Sequence, residues 1–251
     1  MKRLNKTVLA LVTVGVLSSG VAQAALHDRG GGLLYDDVLN VTWLQDANYA
    51  KTSGYDSDGA MNWSAANTWA ANLSFHDSVR NVDLTGWRLA ANTPVGADWN
   101  EIFSYDGSTD VAFNITSPHS ELSYMYYVNL GLKGYYSPAG IYQPNFGVFG
   151  NGNNGGQADV GPVKNLQSYF YWSGTAYVPE PADIAWDFFT GYGDLTGYQS
   201  ATYHYNELYA WAVHPGDVAA VPEPETYGLL LVGLGLLGVV AKRRRRSFAA
   251  S

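Results

Sequence analysis

Asp56-Ser57-Asp58-Gly59 sets two carboxylates two residues apart beside a glycine, the spacing with which calcium loops present hard oxygen ligands. The rest of a helix–loop–helix register is missing, because Asn62-Trp63-Ser64 follows, and a solvated Asp/Gly turn explains the same four residues. His27, His76, His119, His204 and His214 are dispersed, and only His204 with Glu207 is close enough to suggest a shared face. No zinc site is expected from that pattern. The chain has no cysteine, which excludes disulfides, thiolate metal sites and thiol catalysis. Carboxylates are numerous, yet none stands in an acid/base motif and no serine occupies a nucleophile elbow, so a non-enzymatic protein is expected.

The elements that must position these residues are short. Leu33-Leu34-Tyr35 and Val41-Thr42-Trp43-Leu44 predict two strands joined by a turn over Asp36–Asn40, with Trp43 buried. Trp63, Ala66, Ala70 and Leu73 recur at i, i+3, i+7 and i+10, which predicts one face of a helix with Asn62 as its N-cap. Trp99, Ile102 and Phe103 repeat that spacing and predict a shorter helical turn started by Asp98. From Ser117 to Pro162, tyrosines scattered among Gly, Pro and Asn predict long loops. Tyr169–Ser173, Ala185–Phe189 and Tyr209–Val213 predict three neighbouring antiparallel strands. Arg88, between Trp87 and Leu89, is expected to be part-buried and structurally paired, with Asp98 or Glu101 as its carboxylate.

Both ends of the chain read as targeting segments. Lys2, Arg3 and Lys6 precede an apolar stretch from Thr7 to Leu17 and then Ala22-Gln23-Ala24, the pattern of a signal peptide cut between Ala24 and Ala25 by signal peptidase. At the other end Val221-Pro222-Glu223-Pro224-Glu225 is followed by an apolar run from Tyr227 to Ala241 and by Lys242 to Arg246. Two prolines stiffen the first part into an extended, protease-accessible segment. The apolar run, about 22 Å long as a helix, is short for a transmembrane helix, and the basic cluster would remain cytoplasmic. This three-part tail resembles the PEP-CTERM sorting signal of Gram-negative bacteria. The resemblance implies an exosortase partner, cleavage near Val221, Pro222, Glu223 and Pro224, and release to the surface or matrix. Val178-Pro179-Glu180-Pro181 repeats the letters without the membrane run, and a loop between strands is expected there.

The segment between the targeting ends, residues 25–221, holds six Lys and Arg against 20 Asp and Glu, a net charge of −14. Such a field disfavours nucleic acid and sulfated polysaccharide and leaves neutral glycans or calcium-bridged partners. The whole chain has 19 Tyr and 8 Trp, so aromatic rings must supply much of a disulfide-free core, or line a surface on which sugar rings stack.

An ordered set of landmarks spans this segment: Thr42-Trp43, Gly86-Trp87-Arg88-Leu89, Tyr171-Trp172-Ser173, Ala185-Trp186-Asp187-Phe188 and Ala210-Trp211-Ala212-Val213. They resemble the Lcl C-terminal-type domain of exported bacterial proteins. That resemblance implies an α+β fold, a single C-type-lectin-like related domain with short antiparallel strands, one or two helices and long loops. Trp43, Trp87, Arg88, Trp172 and Trp211 are then structural. Two departures stand out: Ala90-Ala91-Asn92-Thr93 follows Arg88-Leu89 where the family has Pro-Thr, and Val213-His214 replaces a closing Val-Arg. Gln143-Pro144-Asn145 is similar to the sugar-binding signature of calcium-dependent lectins, with Trp186-Asp187 as its distant second element. The expected organisation is a signal peptide over 1–24, the domain over 25–220 and the sorting signal over 221–246. The expected function is that of an exported adhesive or carbohydrate-binding module associated with exopolysaccharide or biofilm. An extracellular polysaccharide hydrolase and a purely structural matrix component are the alternatives.

Overall fold

The computed structural model describes residues 26–152 and 155–218. The expected signal-peptide cleavage at Ala24 and Ala25 and the whole tail, with Val221, Pro222, Glu223 and Pro224, lie outside the described residues.

Strands β1 (Leu26–Gly30), β2 (Leu33–Asp36) and β3 (Val41–Leu44) form an antiparallel meander. In the β2–β3 turn the buried Asp36 carboxylate accepts the Val38 and Leu39 amides at 3.0 and 2.9 Å, and Asn40 takes a left-handed φ of 51°. A one-turn helix α1 (Tyr49–Thr52) and strand β4 (Ala60–Met61) lead into α2 (Trp63–Asn72). Helix α2 begins where the sequence predicts, because Asn62 Oδ1 accepts the Ala65 amide at 2.9 Å. Its buried face is Ala66, Trp69 and Ala70. The hairpin β5 (Phe75–Asp77) and β6 (Val82–Leu84) precedes the short β7 (Arg88–Leu89) and β8 (Ala112–Phe113).

The stretch from Ser117 to Pro162 is more ordered than its loop-like composition predicts. It holds α3 (Glu121–Tyr124), which continues as a π-helical turn over Met125–Asn129, and strand β9 (Gln157–Val160). Helix α3 is anchored by Glu121, which receives Arg88 Nη1 and Nη2 at 2.7 Å each and the Ala91 amide at 2.7 Å. This bidentate pair corrects the expected partner of Arg88: it is Glu121, not Asp98 or Glu101. A carboxylate that also binds a backbone amide next to β7 is held in register with the arginine fork.

Strands β10 (Val163–Gln167), β11 (Phe170–Ala176), β12 (Ile184–Phe189), β13 (Tyr198–Tyr203), β14 (Leu208–Tyr209) and β15 (Ala212–Pro215) complete the fold. One sheet has the order β1-β2-β3-β15-β7, and a second has the order β4-β14-β11-β12-β13-β8. The expected strand over Tyr209–Val213 is in fact two. Tyr209 pairs parallel with Tyr171 in the second sheet, after which the chain crosses to pair Val213 with Trp43 and Arg88 in the first. Trp211 occupies the crossing, edge-on to Trp43 at 4.7 Å and donating to Leu44 O at 2.7 Å. Trp43, Trp87, Trp172 and Trp211 are all buried in one core shared by both sheets. Such rings remove large apolar areas from water, and three of the four N–H groups find carbonyls, Trp172 at Met61 O, Trp87 at Leu84 O and Trp211 at Leu44 O, whereas Trp43 Nε1 is buried without a partner.

The helical turn expected at Trp99–Phe103 does not form. Asp110, fully buried, accepts the Val95 and Asn100 amides at 2.8 and 2.6 Å and holds this segment as an irregular loop. Ile102 is consequently 74 % exposed. The second Pro-Glu-Pro copy lies in the exposed β11–β12 connection, where Glu180 N donates to Tyr177 O and Ile184 N to Glu180 O. Among the described residues no helix is long and apolar enough to cross a membrane.

Candidate functional site

The second sheet carries a cleft of about 320 Å³ on one face, bordered by β11, β12, β13 and the segment leading into β14. Tyr169 and Phe170 form an aromatic wall, Phe170 stacking on Phe189 at 4.1 Å. Opposite them are Ser200, Thr202 and Asn206, the Asn206 amide donating to Thr202 Oγ1 at 2.7 Å. Glu207 lines the same cleft and is exposed.

Asp187 belongs to this cleft from the middle of β12. Alternation along Ala185-Trp186-Asp187-Phe188-Phe189 sends Trp186 and Phe188 to one side of the sheet and Asp187 to the other. Its cross-strand neighbours are Trp172 on β11 and Ser200 on β13. Ser200 Oγ donates to Asp187 Oδ1 at 2.6 Å, whereas Oδ2 is sealed from water and has no hydrogen-bond partner. The side chain is 1 % exposed. Burial pushes its carboxyl up to about 7, opposed in part by the Ser200 hydrogen bond. Among the described residues no Lys, Arg or His lines the cleft. An uncompensated carboxyl in the wall of a cavity is a feature of sites that bind or react, because a purely structural acid is normally given partners.

The residues singled out in the sequence do not converge here. Gln143 donates through Nε2 to Gly134 O at 3.1 Å and through its amide to Tyr135 O at 2.8 Å, and Asn145 takes a left-handed φ of 64° in the same loop. Both serve loop geometry, and neither lines the cleft that holds Asp187. Trp186 is fully buried, stacked on Trp99 at 5.1 Å and edge-on to Tyr177 at 5.1 Å. The lectin-like set of Gln143, Asn145, Trp186 and Asp187 therefore contributes one residue, Asp187, to the cleft. His204 stacks on Trp63 at 4.2 Å.

Asp56 and Asp58 form a turn. Asp56 Oδ1 accepts the Asp58 and Gly59 amides at 3.0 and 2.8 Å, and Asp58 Oδ1 accepts the Ala60 amide at 3.0 Å. Asn48 Nδ2 ties the turn down by donating to Asp58 O at 3.0 Å. Among the described residues no three His, Asp or Glu side chains converge as a metal site. A second cleft, about 290 Å³, includes Asp46, Tyr49, Phe75 and Lys164. Its carboxylate is already occupied by the Asn48 amide and Asn165 Nδ2, and Lys164 by Asp159.

Ser200, Asn206, Tyr169 and Phe170 carried no motif in the sequence. The available signal was physical: a lone carboxylate inside an apolar strand, opposite a strand whose alternation puts Ser200 and Thr202 on one face.

No curated protein and no solved structure matches the chain. Residues 220–246 match the family model of the PEP-CTERM protein-sorting motif. That motif marks a protein that is exported, processed by an exosortase at the membrane and delivered to the surface, and this chain carries it.

Proposed function

We propose that this is a surface or extracellular-matrix protein whose body is a non-enzymatic saccharide-binding module of the Lcl C-terminal, lectin-like type, retained near exopolysaccharide after sorting. The observation that carries the reading is the cleft at Asp187: an aromatic wall beside hydroxyl, amide and carboxyl groups. Aromatic faces cover the apolar side of a sugar ring while a few polar groups orient its hydroxyls. The reading invokes no calcium: Asp56 and Asp58 do not line the cleft, and the Oδ1 of each accepts amides of its own turn.

A hydrolase is the second reading, favoured by one observation, that Asp187 and Glu207 line one cleft. Glycoside hydrolysis needs a protonated carboxyl in contact with the leaving oxygen. Asp187 Oδ2 is sealed from solvent and so is not placed to touch a leaving oxygen. A glycan array probed with the full-length protein tests both readings, alongside reducing-sugar release from the glycans that bind. Binding without release, weakened in Tyr169→Ala and Glu207→Gln, is the expected result. Sugar release abolished by Glu207→Gln would establish the hydrolase, and no binding to any glycan would leave a structural matrix role.

A further inference from the structure

Asp187 is the least compensated charge-bearing group in the cleft. Of its two oxygens one is held by Ser200 and the other by nothing, and no cation approaches it from β11, β13 or the 206–208 segment. Glu207 adds a second carboxylate to the same cavity, and Tyr169 and Phe170 supply ring faces. The surrounding domain carries a net charge of −14, a field that favours a cationic over an anionic ligand. A neutral sugar would leave Asp187 protonated and its Oδ2 unpaired. A ligand with an ammonium group would favour the ionised form, drawing on one buried and one exposed carboxyl and on aromatic faces that attract cations.

We infer that the preferred ligand of the cleft is a saccharide carrying a free primary amine, a de-N-acetylated amino sugar, whose ammonium lies beside Glu207 and the Tyr169–Phe170 wall, over the buried Asp187. This rests on the reading of the cleft as a saccharide site and narrows its ligand class. Below neutral pH Asp187 is protonated in the empty cleft, because burial holds its pKa near 7. Seating an ammonium beside it favours the carboxylate, so binding transfers the Asp187 proton to buffer and forms no covalent bond. Acetylation of the amine abolishes the charge and replaces it with an amide whose size the cavity must also accept.

The test is titration calorimetry of the full-length protein at pH 6 with glucosamine tetramer and with N-acetylglucosamine tetramer, each in two buffers of different ionisation enthalpy. Glucosamine tetramer is expected to bind at least tenfold more tightly and to release close to one proton. Asp187→Asn should abolish the proton release, and Glu207→Gln, an exposed change that leaves the fold intact, should lower the amine preference severalfold. Glu180→Gln, in the exposed β11–β12 connection, should leave the preference unchanged. Equal affinity for the two tetramers, with both weakened by Tyr169→Ala, would overturn the amine preference and leave the saccharide cleft standing. An amine preference reduced equally by Glu180→Gln and Glu207→Gln would mean diffuse attraction to an acidic domain and would overturn the site. Absence of binding to either tetramer would overturn it as well.

Discussion

Replacing Asp187 by asparagine should change stability in a direction set by pH. Burial holds the folded-state pKa near 7, whereas the unfolded chain restores an ordinary value of 3.8. Between those values the folded protein binds one more proton than the unfolded chain, so wild-type stability falls as pH rises, by about 1.4 kcal/mol per unit. The contribution is fully present below pH 3.8 and fully lost above about 7. Across that window the loss amounts to about 4 kcal/mol. Asparagine does not titrate and still offers Ser200 a carbonyl oxygen. Its amide, however, replaces an oxygen that has no partner, and an unsatisfied buried donor costs about 1–3 kcal/mol. The variant should therefore be less stable than wild type by about 1–3 kcal/mol at pH 4 and more stable by a similar margin at pH 8, the curves crossing between about pH 4.5 and 6. Urea unfolding of both proteins from pH 4 to 8, followed by tryptophan fluorescence, reads this directly. A stability difference that stays constant across the range would refute the uncompensated state of Asp187.

Three further perturbations follow from the fold. Glu121→Ala removes the acceptor of two Arg88 bonds and one backbone amide and should cost about 3 kcal/mol in chemical denaturation, with Glu121→Gln costing less. Gly59→Ala forces a left-handed φ of 88° on alanine and drives its Cβ into the Asn48 side-chain amide, so a loss of about 1–3 kcal/mol and a lower Tm are expected. Intact-mass measurement of the surface-delivered protein should reveal one C-terminal cut near Val221 and none at Val178–Pro181, whose backbone is closed into hydrogen-bonded turns.

Periodicity made part of the fold legible. Helix α2 announced itself through Trp63, Ala66 and Ala70 behind an Asn cap, and the β2–β3 pair through two apolar runs around an Asp/Asn turn. What stayed hidden depends on distant partners. The loop over Trp99–Phe103 has a helical spacing, but the buried Asp110 carboxylate takes the amides that a helix would need. The Arg88 partner lies 33 residues away, on a helix whose own residues look like loop composition. Tyr209–Val213 reads as one strand because alternation is blind to a sheet change, and only the Trp211–Trp43 contact shows where the chain crosses. The cleft was legible in one residue, Asp187, for a reason unrelated to its actual neighbours. Lectin-like lettering linked it to Gln143 and Asn145, whereas strand register joins it to Ser200.

The carboxyl ¹³C resonance of Asp187, followed against pH in the full-length protein with and without glucosamine tetramer, reads the charge state of the cleft. A midpoint near 7 in the free protein, displaced downward once the tetramer is bound, is expected if Asp187 lies uncompensated in a site for an amine. A free-protein midpoint near the ordinary 3.8, or one that the tetramer leaves unmoved, would contradict it.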